Sequence, residues 1–139
     1  RENFSRLKQA LIEVEEKIIL PQPCENSNPS WFGFLITCKK GLKRSEVVDY
    51  IESHGIQTRM LFAGNLIKHP CFDQMRKEGK GYRVVGELEN TDRIMNDTFW
   101  VGVYPGMTDE IIDYMAQIIK EAVNLAAENQ VVENPVEVE

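Results

Sequence analysis

Gly55-Ile56-Gln57-Thr58-Arg59-Met60-Leu61-Phe62-Ala63-Gly64-Asn65-Leu66 sets a guanidinium, two side-chain amides and two glycines into a segment otherwise apolar enough to be buried. Gly55 closes a preceding helix, residues 56–62 read as a strand of large apolar groups, and Gly64-Asn65 turns the chain sharply. Arg59 on that strand needs a partner, because a guanidinium held among Met60, Leu61 and Phe62 is costly unless it is paired. The residues leave two answers open: a neighbouring acid or solvent at the strand end, or an anionic ligand.

Working outward toward the N-terminus, Ser45 is positioned to cap a helix with Val47, Val48 and Ile51 on one face. His54 falls in its last turn, where its charge suits the dipole and a catalytic role is not required. Before it, residues 30–38 form a short, aromatic-rich apolar run that predicts a central strand, and Gly33 inside it marks either a bulge or a close approach. The polar connector with Pro21, Pro23 and Pro29 is a loop. Phe4, Leu7, Leu11, Val14 and Ile18 alternate spacings of three and four, which predicts a helix over residues 2–18 with Glu13, Glu15 and Glu16 on its solvated side.

Toward the C-terminus, Pro70 starts a short helix reaching Met75, residues 82–86 read as an edge strand, and Asn90 or Thr91 caps a two-turn helix ending near Asp97. Residues 98–104 predict a further strong strand, stopped by Pro105-Gly106. Thr108 then caps a long helix whose buried stripe is Ile111, Ile112, Met115, Ile118, Ile119, Ala122 and Val123. The division is a domain over residues 1–127 and a flexible acidic tail over 128–139. The fold class is α+β: three to four mostly antiparallel strands packed against helices on one side.

With 139 residues the chain can bury a core without metal or disulfide staples. A net charge of −6 with scattered basic residues gives no footprint for nucleic acid. Cys24, Cys38 and Cys71 are widely spaced and form no C-x-x-C pair, so they read as reduced thiols of a cytoplasmic protein, one ligand short of a metal or iron–sulfur site. His69 and Cys71 supply at most half of a metal site. No apolar run reaches the length of a membrane span. The chain opens on Arg1 with a strongly apolar first helix, so the reading is of a fragment. No Ser-His-Asp or Cys-His grouping and no phosphate-binding glycine loop before a helix is present.

Three blocks carry a resemblance: Trp31-Phe32-Gly33-Phe34-Leu35-Ile36, the run from His54 through Asn65, and Asp92-Arg93-Ile94-Met95-Asn96-Asp97-Thr98-Phe99-Trp100-Val101-Gly102-Val103-Tyr104-Pro105-Gly106-Met107-Thr108. Together they resemble the C-terminal domain of the sugar-nucleotide 3-dehydrases of the DegT/DnrJ/EryC1/StrS aminotransferase family, over residues 1–127. The resemblance implies the small domain of a fold-type I aminotransferase. It also implies a parent enzyme that uses pyridoxamine or pyridoxal 5'-phosphate to remove the C3 hydroxyl of CDP-4-keto-6-deoxyglucose, in 3,6-dideoxyhexose and lipopolysaccharide O-antigen biosynthesis. In that branch the amine condenses with the C4 ketone, a proton leaves the cofactor and the C3 hydroxyl departs. A [2Fe-2S] cluster and an iron–sulfur flavin reductase then supply electrons.

By the same resemblance, the catalytic histidine, the cluster cysteines and most cofactor contacts belong to a large N-terminal domain outside this chain. The chain therefore holds no catalytic or metal residue, is expected to bind no cofactor alone and is inactive by itself, and the parent is a homodimer. Sugar aminotransferases carry a histidine where this sequence has Phe32, which matches the dehydrase branch; Phe32 either faces the cleft or serves as a core aromatic. Arg59 and Asn65 align with the loop lining the substrate cleft, and Arg93 precedes the closing strand, so Arg59 or Arg93 is expected on the substrate diphosphate or cofactor phosphate. The alternatives are a sugar aminotransferase of the same family and a stand-alone regulatory α+β ligand-binding module.

Overall fold

Four short strands carry the architecture: β1 (Ile18–Ile19), β2 (Gly33–Cys38), β3 (Thr58–Met60) and β4 (Thr98–Gly102). In the computed structural model, which describes residues 1–133 and side chains through residue 130, they form one antiparallel sheet in the order β1-β2-β4-β3. The two most apolar runs sit at its centre because their alternate residues give one continuous buried row. Phe34 lies opposite Val101 and Ile36 opposite Phe99, all with no exposed surface.

That row faces three helices, α1 (Glu2–Leu11), α2 (Arg44–Ser53) and α5 (Asp109–Glu133). Leu7 and Leu11 of α1, Val47 and Ile51 of α2, and Ile112, Ile119 and Val123 of α5 share one core with the strands. Thr108 starts α5 as its composition predicts, its hydroxyl accepting from the Ile111 amide at 3.4 Å. Arg6 forks onto Asp113 and Asp109 at 2.7 and 2.8 Å and joins α1 to α5 across the solvated side. No helix among the described residues is long and apolar enough to cross a membrane.

Several expectations shift. The first helix ends at Leu11 and tightens into a 3₁₀ turn over Ile12–Val14, and Ile18 belongs to β1, paired with Cys38. The 3-4 spacing misleads there because Val14 on the turn and Ile18 on the strand both point into the core that Leu11 enters, at 3% and 1% exposure. Helix α2 begins at Arg44, which places Ser45 inside it. The helix over Glu89–Asp97 (α4) starts from Leu88 in a left-handed conformation, φ +55°, and neither Asn90 nor Thr91 caps it. Residues 82–86 form no strand; glycines in the left-handed region at 81 and 86 bracket them, and four residues between two such turns make no ladder. Helix α5 continues through Glu133, past the proposed boundary at 127; the rest of the acidic tail lies outside the described residues. The short helix near Pro70 is a 3₁₀ turn over Pro70–Phe72 running into α3 (Asp73–Glu78).

Candidate functional site

The helices cover one face of the sheet, and the other is open at Leu35 and Trp100 and closed at Thr98, which is 2% exposed. Strand alternation assigns it: where Phe99 and Val101 point inward, Trp100 and Gly102 point outward, and so do Gly33 and Leu35 of β2. Register aligns Leu35, Trp100 and Arg59 in a single row across β2, β4 and β3. Leu35 is 36% exposed. Phe32, just before β2, meets the Trp100 ring edge-on at 5.7 Å and 87°. Gly33 has a physical reason in this row: a Cβ there would stand 3.0 Å from Trp100 Cε3, so the bare backbone seats the indole.

Phe32 is 71% exposed and is not a core aromatic. Arg59 is exposed rather than buried, and so are Met60 and Phe62, the latter at 78%. The strand predicted over residues 56–62 shrinks to Thr58–Met60 because it lies at the sheet edge, between Gly55 at φ +78° and the left-handed pair Ala63 and Gly64. Of the β3 residues Thr58 alone is buried, at 3% exposure, with its hydroxyl donating to the Glu52 carboxylate; Met60, opposite Phe99 on the same face, stays 40% exposed at the edge. The Arg59 guanidinium donates to the Thr58 carbonyl at 3.0 Å and makes no ion pair among the described residues. Its donors are therefore available to an anion.

Asn65 turns the other way. It is 3% exposed, and its amide donates to Asp92 Oδ1 at 2.7 Å while its backbone N–H reaches the Met95 sulfur at 3.3 Å. Lys68 closes on the second oxygen of Asp92 at 2.6 Å. The hydrogen bonds from Lys68 and Asn65 hold the Asp92 carboxyl below its usual range. Asn65 thus ties the loop over residues 61–69 to α4 and leaves its side chain no free face toward a ligand. Arg93, on the same helix, is exposed and has no polar partner among the described residues. The structure therefore places Phe32 and Arg59 around Trp100, sets Arg93 apart on α4 and buries Asn65.

Trp100 at the centre of the row, and Lys68 and Asp92, which hold the candidate Asn65, were not among the sequence candidates. The alternation of residues 98–103 carried the signal for Trp100, since an aromatic between two inward-facing residues of a one-sided sheet points outward. Nothing local in sequence pairs Asn65 with Asp92.

His54 takes no part in this face. Its ring stacks on Tyr50 at 4.3 Å, and its Nδ1 stands 2.8 Å from the Tyr50 carbonyl oxygen. No grouping of three histidine, cysteine or acidic side chains among the described residues is placed to hold a metal. Cys24 and Cys71 are exposed, while burial pushes the Cys38 thiol up to about 12.

The profile described as the DegT/DnrJ/EryC1/StrS aminotransferase family matches residues 1–120. The lipopolysaccharide biosynthesis protein RfbH of Salmonella typhimurium strain LT2 is 52% identical over 121 residues, which are 86% of this chain and 26% of that protein. The dTDP-4-dehydro-2,6-dideoxy-D-glucose 3-dehydratase of Saccharopolyspora spinosa is 44% identical over 125 residues, 88% of this chain and 26% of that enzyme. This chain thus spans about a quarter of the length of these relatives. Among solved structures, a variant of GDP-4-keto-6-deoxymannose-3-dehydratase with bound GDP-perosamine superimposes with a TM-score of 0.70 at 25% identity, covering 86% of this chain and 30% of that one.

Proposed function

We propose, for a chain that belongs to the DegT/DnrJ/EryC1/StrS aminotransferase family, that it forms one wall of the active site of a sugar-nucleotide 3-dehydratase working with pyridoxal or pyridoxamine 5'-phosphate. The observation that carries this reading is the row Leu35-Trp100-Arg59, on the sheet face away from α1, α2 and α5 and ending in a guanidinium with no ion pair among the described residues. The names of the relatives supply the reaction class, 3-dehydration of a nucleotide-linked keto sugar. Within that class we assign CDP-4-keto-6-deoxyglucose as the substrate of the whole protein, in dideoxyhexose and lipopolysaccharide biosynthesis. That protein is a cytoplasmic homodimer with a large N-terminal domain, and its partner is an iron–sulfur flavin reductase.

The residues present fit a wall and not a cradle. An exposed Arg59 suits phosphate oxygens, but none of the strand residues is a lysine or histidine able to bond the cofactor or take its proton. When bound, pyridoxamine phosphate supplies an amine for the sugar ketone and an electron sink for loss of the adjacent hydroxyl. Arg59 or Arg93 binds and orients the diphosphate or the cofactor phosphate, and Phe32 packs over the cleft and keeps water out, having no proton to exchange. The cysteines do not fit a [2Fe-2S] cluster, because Cys38 is buried and protonated and lies in β2 with Cys24 and Cys71 out on loops and turns. A cluster in the parent draws its ligands from elsewhere.

The test is the full-length protein with Arg59→Gln and Arg93→Gln, singly and together, assayed on the keto-sugar nucleotide. Loss of a charge-assisted contact to phosphate is expected to raise KM by roughly tenfold or more with kcat far less affected. Unchanged kinetics in the double variant refutes the assignment.

A further inference from the structure

Arg59 is carried by a strand too small to fix it. β3 has three residues, lies at the sheet edge and pairs only with β4, so its own ladder offers little resistance to local opening. The guanidinium holds the carbonyl of Thr58 at 3.0 Å, one residue back on the same strand, and therefore moves with that strand.

Each flank of β3 is fastened to a different helix through a carboxylate. On the N-terminal side the Thr58 hydroxyl donates to Glu52 of α2. On the C-terminal side the chain passes Ala63 at φ +49° and Gly64 at φ +62°, and then Asn65 and Lys68 close together on Asp92 of α4, at 2.7 and 2.6 Å. A non-glycine residue in the left-handed region is a costly backbone state that persists only where its surroundings hold it. Here a ring nitrogen of His69 meets the Ala63 carbonyl, and Gly64 packs against Met95. The bonds from Lys68 and Asn65 keep the Asp92 carboxyl below its usual range, so it is ionised at neutral pH and both bonds are charge-assisted.

This fastening does not serve core burial. No residue from 61 to 68 belongs to the hydrophobic core, and Phe62 and Leu66 stand 78% and 57% exposed. What the two clasps share is the strand between them.

We propose that Glu52 and Asp92 are positioning residues: from opposite flanks they fix β3 against β4, and so fix the place of the Arg59 guanidinium on the sheet face away from α1, α2 and α5. Neither pairs with Arg59 itself. The consequence for substrate rests on the reading of Arg59 as a phosphate contact, whereas the consequence for β3 does not. A binding group has to be held within about 0.5 Å of its working position, which a loosely paired edge strand does not achieve alone.

The test uses the full-length protein with Asp92→Ala, Thr58→Val and Thr58→Ser, each alone and combined with Arg59→Gln. Hydrogen exchange at the bonded amides of residues 58–60 is measured beside KM and kcat on the nucleotide sugar. Asp92→Ala and Thr58→Val are expected to speed exchange in β3 by roughly tenfold, the scale of a lost hydrogen bond to a charged group, with exchange in α5 unchanged. KM should rise roughly threefold to tenfold with kcat nearly constant, whereas a smaller folded fraction lowers kcat and leaves KM alone. Thr58→Ser keeps the hydroxyl and should restore wild-type behaviour. On the Arg59→Gln background neither variant should raise KM further, because the group they place is gone. Should Asp92→Ala fail to fold, Asp92→Asn, which keeps an acceptor for Asn65 and removes the charge facing Lys68, must give a smaller change of the same sign. Unchanged exchange in β3, equal acceleration in α5, or a KM rise that adds in full to that of Arg59→Gln overturns the positioning role. Accelerated β3 exchange with a KM indifferent to Arg59→Gln upholds the two anchors and refutes the phosphate contact instead.

Discussion

Gly64→Ala probes how the loop bearing Phe62 is fastened to the rest of the domain. Gly64 sits at φ +62°, next to Ala63 at φ +49°, and a Cβ on it would stand 2.5 Å from Met95 Cγ and 2.9 Å from both Met95 Cβ and Sδ. Two costs add. An L-residue in the left-handed region loses about 1–2 kcal/mol, and forcing a methyl into the packed thioether costs about 1–3 kcal/mol. The stiffer unfolded chain returns about 0.4–1 kcal/mol, leaving a net loss of about 1–4.5 kcal/mol. The assay is urea unfolding of the chain, with hydrogen exchange at the Lys68 amide, which bonds the Asn65 carbonyl at 3.0 Å, to localise the effect. Met95→Ala removes the Cγ and Sδ contacts but leaves the Cβ contact at 2.9 Å and the backbone term, so on that background the cost of Gly64→Ala should fall without vanishing. If Gly64→Ala costs the same with and without Met95, the loop is not held by packing on α4 and the argument fails.

Other outcomes follow from the same geometry. Phe34→Ala and Phe99→Ala, both at fully buried positions, should each destabilise the chain by about 3–5 kcal/mol in urea titrations, with a smaller loss if the core collapses around the deleted ring. A thiol reagent at mildly alkaline pH should modify Cys24 and Cys71 in the native chain and reach Cys38 only on unfolding, since burial holds that thiol near 12; native labelling of all three would contradict the burial. The Asp92 carboxyl is depressed in the folded chain by Lys68 and Asn65, so its contribution is complete above the ordinary aspartate value near about 4 and disappears as pH falls through the lower folded value. Hydrogen exchange in the residue 61–69 loop should therefore accelerate in acid, and Asp92→Asn should abolish that pH dependence. Gly33→Ala should push the Trp100 indole by a few tenths of an ångström and shift the tryptophan emission while leaving the fold intact.

The α+β class and the long capped helix were legible because they depend on period. Phe34 and Ile36 alternate with Gly33 and Leu35, and the stripe from Ile112 to Val123 repeats at helical spacing, whatever packs against them. The glycine-bracketed segment after Gly55 was legible as a strand, but its length and burial were misjudged. Apolar content says that a residue prefers to leave water, and it does not say whether this chain supplies the cover. Phe62, Met60 and Phe32 are exposed for that reason. Residues 82–86 show the converse, a β-rich composition with no neighbouring strand to pair with.

The amino-acid sequence by itself determined which segments become strands or helices at the centre of the domain, which strand residues share a face, and, through three distinctive blocks, the family. Tertiary structure alone decided where those residues sit. It set Arg59 in register with Trp100 with no ion pair among the described residues, and turned Asn65 inward onto Asp92, 27 residues on. The physical reason is range: periodicity and capping are settled within a few residues, whereas register, edge position and side-chain pairing across tens of residues exist only after the sheet has formed and the helices have chosen one of its faces.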